Sequence, residues 1–433
     1  MRRFTITRVT TVTALCGVAG AILLAPFTAI AQENAGGLLM KLRLGERFVQ
    51  RETESPDVAF DGTTTQLITD LDLSLRSETR TQMVELTFGT GYRFFEGPTT
   101  DGLEQNFVDP TLRLTYKQVA ARSSLQTSLT AMQVDLADVS PFTLSDAPDG
   151  GLVRDFSQLT DGGTRTALSF GGTYTWRDDA PFGISVDFDV SNIAYRDLPS
   201  GSTLDDSLAL ALRPSARFDL SPVLQANLGL RYTTTDFATA PDVTRYGIDA
   251  SASLAQPNGS IDLRFSSSDG DGGVQNTLGL SRTYELPRTT ARFGLGLSQA
   301  AESDVYVTGS ASLKHDFAAD SAFGSLTATA NRDVAIDGRS NEEILTSLSL
   351  STDYAITPVA RLLLSADVGQ AEEARTGTTV DQSALNLSLR YDLSDAWQAT
   401  AGLRTTHRDP SDIAPTTRTT LSLGVSRSFE ARP

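Results

Sequence analysis

The sequence predicts an all-β fold, a transmembrane antiparallel up-and-down β-barrel of about 20 strands (roughly 18 to 22). Three observations predict it. After Gly37, apolar and polar residues alternate through almost the whole chain. Eight of the alternating runs end on an aromatic residue, and short connections alternate with longer ones. Together these features are typical of a sheet that closes on itself inside a bilayer.

The alternation defines strands with one apolar face and one polar face. Leu38, Met40 and Leu42 share one face of the first predicted strand, and Phe429 closes the same kind of face on the last. The predicted barrel therefore covers residues 38–429. The chain is 39% hydrophobic, too little for a bundle of membrane helices, because each such helix needs about 20 consecutive apolar residues.

An aromatic residue ends eight of the apolar faces, always on the parity of the apolar residues before it. Amphipathic rings settle at the level of the lipid headgroups, while aliphatic side chains face the acyl chains. We therefore predict an aromatic girdle at one edge of the barrel, formed by Tyr116, Trp176, Phe218, Tyr284, Phe317, Tyr354, Tyr391 and Phe429.

The connections between strands are of two kinds, which alternate. One kind is compact, such as Gln256-Pro257-Asn258-Gly259, and the other is longer and holds Asp-Gly pairs such as Asp61-Gly62. Membrane barrels of this kind have short periplasmic turns and longer extracellular loops. If the first strand rises from the periplasm, the Asp-Gly pairs lie outside the cell. The aromatic girdle and both termini then lie on the periplasmic side.

From Gly37 to Phe429 the chain resembles bacterial outer-membrane β-barrel proteins in general, porins among them; the resemblance is one of architecture. It implies a location in the bacterial outer membrane and contact with outer-membrane lipids and lipopolysaccharide. It also implies that the barrel assembly machinery recognises a final strand ending on Phe429. Residues 430–433 depart from that pattern because they follow the aromatic residue, and we expect them to form a short periplasmic tail.

The N-terminus predicts export from the cytoplasm. Three arginines precede an apolar stretch, Val12–Ile30, and the triplet Ala29-Ile30-Ala31 fits a signal-peptidase site. We expect residues 1–31 to be a signal peptide and residues 32–37 a short periplasmic segment. An uncleaved anchor and export by the twin-arginine route are the alternatives. Cys16, the single cysteine, lies in the signal, so the exported chain has no thiol for a disulfide or a metal.

The polar face of the predicted strands is charged, and charged groups inside a membrane need water or a partner. This face therefore lines a wet lumen or fills it with ion pairs. We predict a porin-like channel for passive diffusion of small hydrophilic solutes. The alternatives are a non-conducting structural or adhesion barrel and the outer-membrane exit of a polysaccharide export system. The predicted lumen-lining charges are Arg43, Asp72, Arg76, Glu85, Arg93, Arg113, Arg231, Asp262, Arg264, Arg292, Asp367, Arg390 and Arg404.

The longest predicted loop runs roughly from Ala137 to Gly163 and is too apolar for a segment surrounded by water. We expect it to fold inward and narrow the lumen. A cap on the outer surface is the alternative, because long loops often have that role. The residues expected at the constriction are Phe142, Asp146, Asp149, Arg154, Asp155 and Phe156.

Other functions have less support in the sequence. A net charge of −17 opposes nucleic-acid binding, which relies on Lys and Arg. Asp269 and Asp271 are weak candidates for holding a divalent cation, although tight Asp-Gly turns explain them better. His315 is expected on the outer face near the girdle, and His407 shares its parity with a threonine and an aspartate. We predict no cofactor, no catalytic residues and no enzymatic activity.

Overall fold

The computed structural model describes residues 37–55, 61–97, 104–136, 163–177, 179–198, 204–270, 273–299, 305–318, 323–336, 342–373, 376–411 and 414–432. No helix in these ranges is long and apolar enough to cross a membrane. The described residues form twenty β-strands: β1 Leu38–Glu54, β2 Gly62–Glu78, β3 Gln82–Glu96, β4 Glu104–Val119, β5 Ser123–Asp135, β6 Thr164–Trp176, β7 Phe182–Arg196, β8 Ser207–Ser221, β9 Leu224–Phe237, β10 Val243–Gln256, β11 Gly259–Gly270, β12 Gln275–Leu286, β13 Thr289–Gln299, β14 Val305–Ala318, β15 Phe323–Ile336, β16 Glu342–Thr357, β17 Ala360–Glu373, β18 Thr379–Asp392, β19 Trp397–Pro410 and β20 Thr416–Ala431.

The strands form one closed antiparallel barrel. Each strand pairs with the next along the chain, and β1 pairs with β20 from Met40–Ala431 to Glu54–Thr417. Closure removes the unpaired sheet edges that a bilayer does not tolerate. The predicted fold class and strand number are thus confirmed. The last strand continues two residues past Phe429, so Glu430 and Ala431 belong to the barrel wall and not to a tail.

The outer face of the barrel is apolar and the inner face polar, because successive side chains of a strand point to opposite faces. Leu230, Leu280 and Leu295 illustrate the outer face, with relative exposures of 56%, 55% and 74%. The next residue after Leu230 on β9 is Arg231, whose guanidinium meets Asp249 of β10 on the inner face. An apolar exterior around a polar interior is the arrangement of a barrel surrounded by lipid.

The two rims of the barrel differ in their connections. Even-numbered strands lead into connections of two to five residues, which define the short-turn rim. Odd-numbered strands lead into connections of four to 28 residues, which define the long-loop rim. Both ends of the barrel wall, Leu38 and Ala431, lie at the short-turn rim. Which rim faces the periplasm stays a prediction.

One ladder carries an irregularity that matters for the lumen. The β3–β4 register shifts between Gly89 and Gly91, and Asp109 of β4 has a positive φ of 47°. On the long-loop side of this bulge, Phe107 faces outward, with a relative exposure of 66%. Val108 and Asp109 both line internal cavities. The bulge therefore brings a carboxylate and an apolar side chain to the interior, as bulges commonly re-aim side chains.

Candidate functional site

The inner wall of the barrel is the candidate site. The ladders place all thirteen charged residues predicted for the lumen on the face opposite the exposed apolar residues. Their contribution to conduction stays a prediction. The set is Arg43, Asp72, Arg76, Glu85, Arg93, Arg113, Arg231, Asp262, Arg264, Arg292, Asp367, Arg390 and Arg404.

The ion pairs of the inner wall join side chains that are neighbours on the wall. Arg231 of β9 meets Asp249 of β10 at 2.8 Å, and the two residues face each other across adjacent strands. The other ion pairs between described residues also join side chains of one strand, of adjacent strands or of the segment beside them. Pairs of this kind neutralise charge on the wall without bridging the space in front of it.

A cavity of about 450 Å³ lies against strands β18–β20 and β1–β4 and against Leu136, the residue after β5. We call it the arginine cavity, because six arginines line it and Asp109 is the one carboxylate among its described lining residues. Thr420 of β20 lies between Arg51 and Arg404 in one row of the sheet, so closure of the barrel brings these two arginines to the same patch. The six are Arg47, Arg51, Arg93, Arg404, Arg408 and Arg418.

The arginine cavity also has an apolar side. Val49, Ile68 and Leu136 line it and are buried, with relative exposures of 4–5%. Gly91 is required beside them, because a Cβ there would approach Val108 Cγ2 to 2.7 Å and Ile68 Cγ2 to 2.8 Å. The cavity thus combines guanidinium groups with aliphatic contacts, a lining suited to a solute that carries both an anionic and an apolar part.

A second cavity, of about 790 Å³, lies against strands β7–β16. Its described lining includes six arginines and three aspartates, so it has more carboxylates than the arginine cavity. Gly279, Gly294 and Gly296 lie on the wall here, and the absence of side chains at these positions leaves room inside β12 and β13. The charged lining residues are Arg213, Arg231, Arg245, Arg264, Arg292, Arg332, Asp187, Asp249 and Asp333.

At the long-loop end of the β15–β16 hairpin, β15 separates from β14 and curves into this second cavity, while β16 stays paired with β17 as far as Glu343–Glu373. The β14–β15 ladder stops at Gly309–Arg332, whereas the β15–β16 ladder continues to Ile336–Glu342. Gln275 Nε2 donates a hydrogen bond of 3.3 Å to the Val334 carbonyl. Because Gln275 belongs to β12, three strands away along the wall, this contact spans the interior. We call residues 333–336 and 342–345 the inward hairpin end.

Burial supports the same path for the inward hairpin end. Val334, Ile344 and Leu345 have relative exposures of 5–7%, and Ser298 of β13 is fully buried. Sequence reasoning missed this element. One signal was present: Ile344 and Leu345 are consecutive apolar residues, so they break the alternation that β16 keeps from Leu348 onward. An apolar residue on the inner-face parity indicates that something covers it.

The constriction predicted for the longest loop falls outside the described residues, as do Phe142, Asp146, Asp149, Arg154, Asp155 and Phe156. The described ends of that loop meet where the Leu136 N–H donates to the Gly163 carbonyl at 2.9 Å. Asp271 also lies outside the described residues. Asp269 lies opposite Tyr246 on the outer face, and no group of three or more metal-binding side chains occurs in the described part of the chain.

The eight predicted girdle residues lie on the outer face of even-numbered strands, close to the short-turn rim. Arginines stack on several of these rings. The Arg282 guanidinium lies 4.7 Å from the Tyr284 ring centre, and Arg427 lies 4.7 Å from Phe429 and 5.4 Å from Trp397. Trp397, on β19, extends the aromatic set beyond the sequence prediction. Such arginines keep their charge at a membrane surface while their stems cover apolar area.

The two histidines do not assemble a catalytic group with the described residues. His315 lies on the outer face of β14 at the short-turn rim, where its Nδ1 is 2.8 Å from Thr289 Oγ1. The His407 Nδ1 lies 2.9 Å from Thr417 Oγ1, on the neighbouring strand. Thr405, which shares the parity of His407, contacts Thr419 instead. Both imidazoles therefore have hydrogen bonds of the cross-strand kind that polar residues commonly make in sheets.

No protein-family model and no curated protein matches the chain. Solved structures match its fold. The siderophore receptor PirA from Acinetobacter baumannii is 8% identical, with a TM-score of 0.51, over 92% of this chain and 81% of that chain. A BenF-like porin from Pseudomonas fluorescens Pf-5 is 13% identical, with a TM-score of 0.43, over 90% and 99%. Pseudomonas aeruginosa OpdQ is 12% identical, with a TM-score of 0.41, over 91% and 99%. These likenesses concern the fold, that of a bacterial outer-membrane β-barrel.

Proposed function

We propose that the chain is an outer-membrane channel for passive diffusion of small hydrophilic solutes. The observation that carries the proposal is the inner wall, which is charged, lines two cavities and holds its ion pairs between neighbouring strands. Water is the partner that so many charged groups on one face require inside a membrane. A wet interior open to both rims conducts solutes.

The arginine cavity gives the proposed channel a preference for anions. Six arginines line it, and Arg47 among them is paired with Asp70. Each guanidinium has five N–H donors, so a partner on the wall leaves donors for a solute anion. A cleft lined by one sign of charge raises the local concentration of ions of the opposite sign. The apolar side of the cavity extends the preference to small organic anions with a short aliphatic or aromatic part.

The two alternative functions fit the inner wall less well. A polysaccharide exit needs a wide interior, but the inward hairpin end occupies part of the second cavity with Val334 and Leu345. A sealed structural barrel needs ion pairs that bridge the interior, but those between described residues follow the wall. A channel of limited width satisfies both observations.

The proposal includes an orientation and a route to the membrane. In it, the short-turn rim with both barrel ends and the aromatic girdle faces the periplasm, and the long-loop rim faces lipopolysaccharide. Residues 1–31 act as a signal peptide, and the barrel assembly machinery inserts the chain. No cofactor is required, because diffusion through a lumen involves no chemical step.

Osmotic swelling of proteoliposomes tests the proposed function. The folded protein is reconstituted and exposed to neutral sugars of increasing size, and then to organic anions and cations of matched size. We expect swelling with the small sugars, a decline with size, and faster swelling with anions than with cations. No swelling from protein whose β-sheet content is verified by circular dichroism would reject the channel and favour the structural barrel. Equal rates for anions and cations would reject the anion preference alone.

A further inference from the structure

Glu46 is an acidic residue in the middle of the lipid-facing surface. It lies on the outer face of β1 between Leu44 and Phe48, whose relative exposures are 41% and 40%. Its neighbours across the ladders are Thr69 of β2 and Val425 of β20. Glu46 itself is exposed. The residues around it are thus those of the apolar band.

No other outer-face carboxylate among the described residues has this position. The rest lie within three residues of a strand end at the long-loop rim, where the chain leaves the sheet. They are Glu52, Glu54, Glu96, Asp135, Asp236, Asp269, Glu372, Asp381 and Asp409. Glu46 cannot be explained in the same way, because two more outward-facing positions of β1, Phe48 and Gln50, follow it before Glu52.

A carboxylate in contact with acyl chains is costly unless donors satisfy it. Thr69 Oγ1 donates one hydrogen bond of 2.9 Å to Glu46 Oε1, which occupies one of the several acceptor positions of a carboxylate. The short glutamate side chain does not reach an interface as a lysine or arginine does. A further hydrogen-bond donor on the lipid-facing surface would satisfy the Glu46 carboxylate and so explain its position.

The same surface carries such a donor. Arg427 lies on the outer face of β20 opposite Leu44, one rung of the ladder from Glu46 toward the short-turn rim. Its guanidinium stacks over Phe429 and Trp397, so within the chain it turns toward the aromatic residues. Next to β20, Ala399 and Ala401 face outward on β19, and small residues allow close approach between membrane-spanning segments.

We propose that the outer face of β19, β20, β1 and β2 binds a second copy of this chain, with Glu46 paired to Arg427 of the partner subunit. A two-fold interface uses the same patch twice, so one patch has to offer both members of each pair. Glu46 and Arg427 meet that requirement because they lie on adjacent strands. Each carboxylate then gains a charge-assisted hydrogen bond in a medium without competing water.

Cysteine cross-linking in the membrane tests the proposed interface. Cys16, the single cysteine, is replaced by serine, and Leu44→Cys reports on the interface. Leu263→Cys on β11 is the matched control, because Leu263 also faces outward and has a relative exposure of 47%. We expect a several-fold excess of cross-linked dimer for Leu44→Cys over Leu263→Cys. Equal cross-linking, or a cross-link to a different protein, would overturn the proposal.

Charge reversal tests the Glu46–Arg427 pair itself. In the Leu44→Cys background, Glu46→Arg places like charges at the interface and should lower the dimer yield about tenfold or more. Combining it with Arg427→Glu should restore the yield. Heat-dependent migration in gels verifies that each variant is folded. If Glu46→Arg fails to fold, Glu46→Gln replaces it in the test. Glu46→Gln should lower the dimer yield less than Glu46→Arg. A dimer yield that is insensitive to all these changes would overturn the pairing.

Discussion

Arg47 on β1 holds Asp70 on β2 by two hydrogen bonds, from Nε at 3.2 Å and from Nη2 at 3.1 Å to the two carboxylate oxygens. The fork of a guanidinium matches a carboxylate in this geometry. Because the two residues lie on neighbouring strands, the pair follows the inner wall. Charge is thus neutralised locally, and the space in front of the wall is left to water and solutes.

Breaking this pair should destabilise the barrel slightly and change its selectivity. Asp70→Asn removes the negative partner of Arg47, whose side chain is 41% exposed, so solvent screens much of the loss. We expect the free energy of unfolding to fall by about 1 kcal/mol in urea titrations with lipid vesicles. A double-mutant cycle with Arg47→Gln should give a coupling energy of the same size. A coupling energy indistinguishable from zero would show that the pair is incidental.

The arginine cavity should set the preference for anions. Replacing Arg404 and Arg418 by alanine removes two of its six positive charges. We expect the ratio of chloride to potassium permeability, measured from reversal potentials in a salt gradient, to fall severalfold. Arg282→Ala is the control, because Arg282 faces outward at the short-turn rim and should leave the ratio unchanged. If both changes had the same effect, selectivity would not originate in this cavity.

The inward hairpin end should limit the width of the channel. Ser298 is fully buried and contacts Gln275, whose side chain also donates to the Val334 carbonyl. Ser298→Trp should therefore displace this end from the second cavity. Leu345→Asp should have the same effect, because it places a charge at a buried position. For both variants we expect a larger single-channel conductance and faster entry of larger sugars.

Leu297→Trp is the control for Ser298→Trp, since the neighbouring residue faces outward on the same strand. It should leave the conductance unchanged. Conductance that stays at the level of the unmodified protein in both Ser298→Trp and Leu345→Asp, with the fold intact, would mean that the hairpin end does not restrict the lumen.

The stack of Trp397, Arg427 and Phe429 should anchor the last strands at the short-turn rim. Trp397→Ala removes one of the two rings that the Arg427 guanidinium contacts. We expect the free energy of unfolding to fall by about 1 kcal/mol beyond the loss caused by truncating a leucine at a comparable depth, for which Leu389→Ala is the reference. Equal losses of unfolding free energy for Trp397→Ala and Leu389→Ala would show that the cation–π contact does not contribute to stability.

The alternation of residues carried most of the information about the fold. It located the strands from Leu38 to Phe429 and their apolar faces, because a period of two depends only on neighbours in sequence. The alternation could not show which arginines lie together in the arginine cavity. Arg51 and Arg404 meet because β20 pairs with β1, and the register of that closure depends on the whole ring.

The path of the inward hairpin end could not be predicted from the sequence either. Val334 and Ile344 alternate as ordinary outer-face residues, but β15 separates from β14 beyond Arg332, and both residues are buried. Alternation reports which face of a strand is apolar and not where that strand goes. Glu46 is the reverse case: its parity is plain in the sequence, yet its meaning depends on the apolar neighbours that β2 and β20 supply.

Single-channel current through a planar lipid bilayer tests the central proposal most directly. With the folded protein we predict discrete conductance steps, a reversal potential that favours anions, and smaller steps when a large organic anion is added. Electrical silence from protein that is verified as folded and inserted would contradict an open lumen. The charges of the inner wall would then act as the packing of a closed barrel.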